Sequence, residues 1–129
     1  MIGYVTIGTN DLERAASFYD ELLGVFGAKR FMENERLVAW SAGEGQPGIG
    51  VCTPFDGNEA TVGNGMMVSL AASGPEQVQS VYAKAIELGA SDEGEPGQRF
   101  GTFYGAYFRD PDGNKLCTFC MVPEDAAAD

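Results

Sequence analysis

Three cysteines, five tyrosines and no histidine define the chemistry open to this 129-residue chain. Without imidazole, Ser-His-Asp and Cys-His mechanisms and all histidine-ligated metal sites are excluded. Cys117 and Cys120 have the spacing of a CxxC pair, but the stretch around them, KLCTFCM, reads as a strand. On a strand those two thiols point to opposite faces, so neither a redox pair nor a local chelate is expected. Reduced, buried thiols in a cytoplasmic protein are the expectation instead. Cys117 could act as a nucleophile, yet no basic cluster in the sequence lowers its pKa. Tyr4 could donate a hydrogen bond or a proton, although a lone phenol is a poor general base. Asp110 and Asp112 read as turn residues rather than a carboxylate pair. Glu13, Glu21, Glu76 and Glu87 read as helix-surface charges.

The turn that carries those aspartates belongs to the stretch from Phe103 to Met121. Asp110-Pro111-Asp112-Gly113 has the residue order of a type I turn, with glycine where a positive φ is wanted. A G1 bulge at that glycine sets Asp110 opposite Asn114, and then pairs Arg109 with Lys115 and Tyr107 with Cys117. Cys117, Phe119 and Met121 share one face with Tyr107; Leu116, Thr118 and Cys120 take the other.

The totals bound the rest. The length favours a single domain that buries roughly two-thirds of its unfolded surface. A formal net charge of -11, with only eight dispersed basic residues, excludes binding to a nucleic-acid backbone and disfavours anionic membrane surfaces. There is no apolar run long enough to span a bilayer and no basic-then-apolar leader, so a soluble, cytoplasmic protein is expected.

In order, residues 2–8 read as a strand, followed by a helix that Asn10 caps with Glu13 and Gly24 ends. Its apolar stripe comprises Leu12, Ala15, Ala16, Tyr19, Leu22 and Leu23. Short strands are expected near 28–33, 36–41 and 48–53. Residues 54–65 read as a linker. A strand from Met66 to Ala72 follows, then a helix with Ser73 or Gly74 at its cap, Pro75 in its first turn, Glu76 available to a capping box and Gly89 at its end. Residues 91–101 read as too rich in glycine and charge for a regular element. The order strand, helix, strands thus occurs twice. Gly24 and Gly89 stand 65 residues apart, as do VCTP at 51–54 and LCTF at 116–119, while the opening strands match at about 63. The expected architecture is α+β, two βαβββ modules forming a cupped mixed sheet. Module one covers about 1–57, a linker about 58–65, module two about 66–122 and a loose tail 123–129.

YVTIGTNDLERAASFYDELLG and FYGAYFRDPDGNKLCTF resemble the vicinal oxygen chelate superfamily of glyoxalase I, extradiol dioxygenases, and fosfomycin- and bleomycin-resistance proteins. The resemblance spans essentially the whole chain. It implies a cup in which a divalent metal is held by four His or Glu residues, from the first and last strand of each module. Carried over, those positions fall on Tyr4, Cys52, Met67 and Cys117. A phenol, two thiols and a thioether do not suit the hard or borderline ions of the family, so no metal and no cofactor is expected.

The same resemblance implies an aromatic, sulfur-rich cup lined by Tyr4, Cys52, Met67, Tyr107, Cys117 and Phe119. Trp40 and Phe55 would stand at its mouth, with Arg99 on the covering loop, placed to pair with a ligand carboxylate. The leading expectation is a protein that binds a small organic molecule there. The alternatives are a lyase, isomerase or dioxygenase-like enzyme with atypical ligands, and a structural or partner-binding protein whose cup is filled. By family analogy a homodimer is allowed.

Overall fold

The structure, a computed structural model, describes residues 1–123, so residues 124–129 of the expected tail lie outside it. The chain divides into two compact units, Met1–Asn64 and Gly65–Asp129. Each contains one helix and four strands, so the two-module α+β architecture holds.

In the first unit, β1 (Tyr4–Gly8), α1 (Leu12–Gly24), β2 (Lys29–Glu33), β3 (Leu37–Ser41) and β4 (Gly48–Cys52) form a sheet of order β1-β4-β3-β2. β1 runs parallel to β4, and the other pairs are antiparallel. Strand alternation sorts the residues: Val5, Ile7, Val38, Trp40, Ile49 and Val51 share one face, and all but the half-buried Val5 are buried. The helix stripe Ala15, Ala16, Tyr19, Leu22 and Leu23 is buried too, and burying a side chain such as Leu22 stabilises by roughly 1.5–3 kcal/mol.

The ends of α1 differ from expectation. Asp11, not Asn10, is the N-cap, and its carboxylate accepts from the Arg14 amide at 3.1 Å. Asn10 instead reaches the later loop, where its side chain accepts from the Ala60 amide and donates to the Ala60 carbonyl. Gly24 is the last helical residue, and the positive φ of 75° falls at Gly27.

In the second unit, β5 (Val68–Ala71), α2 (Pro75–Glu87), β6 (Ser91–Phe100), β7 (Phe103–Arg109) and β8 (Lys115–Met121) form a sheet of order β5-β8-β7-β6. The hairpin has the expected register. Gly113 donates to the Asp110 carbonyl at 2.8 Å, Asp110 donates to the Asn114 carbonyl at 2.9 Å, and Arg109–Lys115 and Tyr107–Cys117 are paired. Gly113 has φ 93°, and Asp110, buried, gathers the amides of Asp112 and Asn114. Gly74 and Pro75 open α2 as expected; the side chain that reaches back to Ser73 is Gln77 rather than Glu76.

The stretch expected to be irregular is in fact β6, a ten-residue strand. It holds β7 through three register shifts, around Gly94, Gly97 and Gln98. Glycines depress strand propensity, but they also admit the bulges by which this strand follows its neighbour. Among the described residues no helix is long and apolar enough to cross a membrane.

Candidate functional site

Each sheet turns one face to its helix and the other away from it, and the candidate residues distribute over these faces by parity. On the free face of unit one lie Tyr4, Thr6, Gly8, Gly48, Gly50 and Cys52, with Leu37, Ala39 and Ser41 from β3. The glycines let side chains lie on the sheet. A Cβ on Gly48 would come within 2.7 Å of the Phe31 ring, and one on Gly50 within 3.0 Å of the Leu37 side chain. Tyr4 and Phe31, each about half exposed, edge an open cleft of about 870 Å³ that continues over Lys29, Ser41 and the Gly43–Gln46 loop.

Trp40 is not at any mouth. It lies on the opposite face, 1 % exposed, tilted against Tyr19 at 5.8 Å between centroids. Its indole N–H donates to Asp20 at 2.8 Å, and Asp20 also accepts both forks of Arg30. The Arg30 guanidinium holds the Asp20 carboxyl below the usual carboxylate range, against the upward effect of burial. Parity explains the placement, since Trp40 pairs with Ile49 and alternates with Ala39 and Ser41. Phe55 is 90 % exposed, with Arg36 5.4 Å from its ring centre.

On the free face of unit two, Ser69, Cys117 and Tyr107 form one rung across β5, β8 and β7. Cys117 is completely buried, and burial raises its thiol pKa; hydrogen bonding with Ser69, the charges of Arg99 and Lys115, and hydrogen bonding with Tyr107 pull the other way. At neutral pH it is therefore a protonated floor residue rather than a nucleophile. Two cations approach the Tyr107 ring, Arg99 at 5.4 Å and Lys115 at 5.6 Å from its centre. Beside this cluster Phe119 stacks on Phe103 at 5.2 Å, and Phe103 on Phe100 at 5.0 Å, with ring planes within 10° of parallel. Met67, 42 % exposed, directly precedes β5.

Arg99, Tyr107, Cys117 and Phe119 are thus brought together in unit two, while Tyr4 belongs to the cleft of unit one. Lys115, Ser69, Phe31 and the Phe100–Phe103 pair are additions. Lys115 was visible in principle, because it shares the period of Cys117 and Phe119.

One position moves. Thr6, two residues after Tyr4, pairs with Gly50, as Ser69, two residues after Met67, pairs with Cys117. The residue of unit one that corresponds to Cys117 is therefore Gly50. Cys52 lies two residues farther along β4, opposite Gly8. By this register, the four positions that the resemblance implies for metal ligands are Tyr4, Gly50, Met67 and Cys117, and a glycine offers no side-chain donor at all. Among the described residues no group of three or more His, Cys, Asp or Glu side chains could hold a metal ion. The donor set does not fit the family's metal.

Residues 1–118 match the family model of the Glyoxalase/Bleomycin resistance protein/Dioxygenase superfamily, and the chain belongs to that superfamily. A glyoxalase/bleomycin resistance protein from Albidiferax ferrireducens T118 is 38% identical, with a TM-score of 0.85 over 93% of this chain and 98% of that one. Hypothetical protein SA1046 from S. aureus is 25% identical, with a TM-score of 0.71 over 91% of each chain. Lactoylglutathione lyase from Agrobacterium tumefaciens, 20% identical with a TM-score of 0.68 over 93% of this chain and 92% of that one, shares the fold. No curated protein matches.

Proposed function

We propose that this chain is a small-molecule-binding member of its superfamily that works without the family's metal centre. Each unit offers a free sheet face for such a ligand, carrying Tyr4 and Phe31 in unit one and, separately, Tyr107, Cys117 and Phe119 in unit two. The observation that carries this reading is the set of side chains at the family's ligand positions: a phenol, a hydrogen atom, a thioether and a buried, protonated thiol. None of these suits an ion that wants imidazole or carboxylate, whereas exposed aromatic rings and a cleft of about 870 Å³ suit a flat organic molecule. The reading includes a homodimer, supported by the exposed apolar side chains Ile2, Phe31, Phe100 and Met121, which are more than half exposed and gain from cover.

A thermal-shift screen tests it. Planar organic compounds are expected to raise the melting temperature by mass action, and Mn, Fe, Ni or Zn salts to leave it unchanged. A stoichiometric metal that survives dialysis would overturn the metal-free reading. Light scattering at micromolar protein reads the dimer, and a monomer throughout that range removes it.

A further inference from the structure

The free face of unit two is polarised, and the polarity specifies a ligand. At one end stand Arg99 and Lys115, both reaching the ring of Tyr107. Neither has a carboxylate partner among the described residues: Arg99 donates to the Glu95 main-chain carbonyl, and Lys115 meets only the ring. Arg36 likewise meets a main-chain carbonyl and a ring rather than a carboxylate. Elsewhere the arginines of the sheets are neutralised, Arg30 by Asp20 and Glu33, and Arg109 by Glu93. Two cations beside one ring and without a carboxylate partner favour an anion next to them.

At the other end the Phe119–Phe103–Phe100 stack ends in a ring that is 68 % exposed, able to take one more planar group. The two ends are joined by Gly105, which pairs with Phe119 and lies two residues before Tyr107. Two residues of strand span about 7 Å. That is the reach from a carboxylate to the outer ring of a two-ring aromatic acid.

Resting on the reading of these faces as ligand sites, we propose that the face of unit two takes an aromatic carboxylate. The carboxylate lies beside Tyr107 in reach of Arg99 and Lys115, and the ring system lies against Phe119, the near end of the stack.

The probe is 2-naphthoate, with 2-naphthamide as its uncharged counterpart, each titrated into the full chain and followed through backbone amide NMR shifts. Naphthoate is expected to shift the amides of residues 99–119 and to bind about ten-fold more tightly than the amide, a difference that falls with added salt. Arg99→Gln with Lys115→Gln is expected to abolish that preference while leaving naphthamide binding unchanged; Arg14→Gln, on the surface of α1, leaves both as they were. Both replaced side chains stand at the surface of the sheet, and the amide spectrum checks that each variant is folded. Equal affinity for the two probes, or a preference that survives the double substitution, overturns the carboxylate site and leaves small-molecule binding standing. Shifts confined to residues 29–46, or no naphthoate binding at millimolar concentration, overturn the proposal as well. Neither outcome bears on compounds of other chemistry that raise the melting temperature in the wider screen, so the two readings fail separately.

Discussion

The indole N–H of Trp40 and the carboxylate of Asp20 are joined at 2.8 Å across the helix–sheet boundary of unit one. The same carboxylate takes Arg30 through two bonds, at 2.9 and 2.7 Å, so one aspartate anchors a buried donor and a half-exposed cation together. Asp20→Ala leaves the buried indole without its acceptor. The expected loss is about 1–3 kcal/mol of stability, most of it from the orphaned donor rather than from the half-exposed ion pair. Denaturant unfolding measures the loss, and the emission of Trp40, the only tryptophan, reports whether its surroundings change.

That pair also sets an acid limit. The Asp20 pKa is lower in the folded state than in the unfolded chain, because Arg30 favours the charged form. A depressed folded value contributes stability that is fully present above the unfolded value of about 3.9 and is lost as pH falls below it, through the folded value. Trp40 emission is therefore expected to hold steady from neutrality to mild acid and to change below pH of about 4; in Asp20→Asn that step is reduced.

Thr118 is wholly buried against α2, and among the described residues its hydroxyl finds no hydrogen-bond partner. Replacing it with valine removes an unpaired polar group at nearly the same shape. Thr118→Val is expected to stabilise the protein by about 1 kcal/mol, read as a higher denaturation midpoint at unchanged slope.

The thiols should divide by depth. Cys52 is half-buried, whereas Cys117 and Cys120 are buried and burial raises the pKa of both. A disulfide reagent at neutral pH is expected to modify one thiol in the native protein and all three only after unfolding. Rapid native modification of Cys117 would contradict its place as a protonated floor residue.

Gly105 supports the aromatic stack by having no side chain. A Cβ there would stand 2.8 Å from the Phe103 ring and 3.2 Å from the Thr118 carbonyl oxygen. Gly105→Ala is expected to cost about 1–3 kcal/mol through overpacking. It should also displace Phe103, which near-ultraviolet circular dichroism would register as loss of aromatic signal.

What the sequence made legible was local. The hairpin from Phe103 to Met121 could be read to its register because Asp110, Pro111 and Gly113 determine the turn, and the turn determines every pair beyond it. The two helices followed from their stripes. Where residues distant in sequence had to be aligned, the reading slipped. The helices repeat at a spacing of 63, but Gly50 and Cys117 stand 67 apart, because β6 is ten residues long where β2 has five. Matching VCTP to LCTF therefore selected Cys52 over Gly50. Trp40 was misplaced for a different reason: large aromatics suit a ligand cup and a helix interface equally, and only strand parity against Ile49 separates them. Lys115 enters the sequence reading only as the ladder partner of Arg109, although the ring it approaches, Tyr107, is placed there across the ladder from Cys117.

Gly50 also limits what could be engineered into unit one. The Leu37 side chain and the Ala39 methyl cover the space that a side chain at position 50 would need, at 3.0 and 3.2 Å from where its Cβ would stand. Introducing a glutamate there would require β3 to give way before any metal could benefit from it. A metal-binding residue at this position therefore needs compensating changes at its neighbours in the same design.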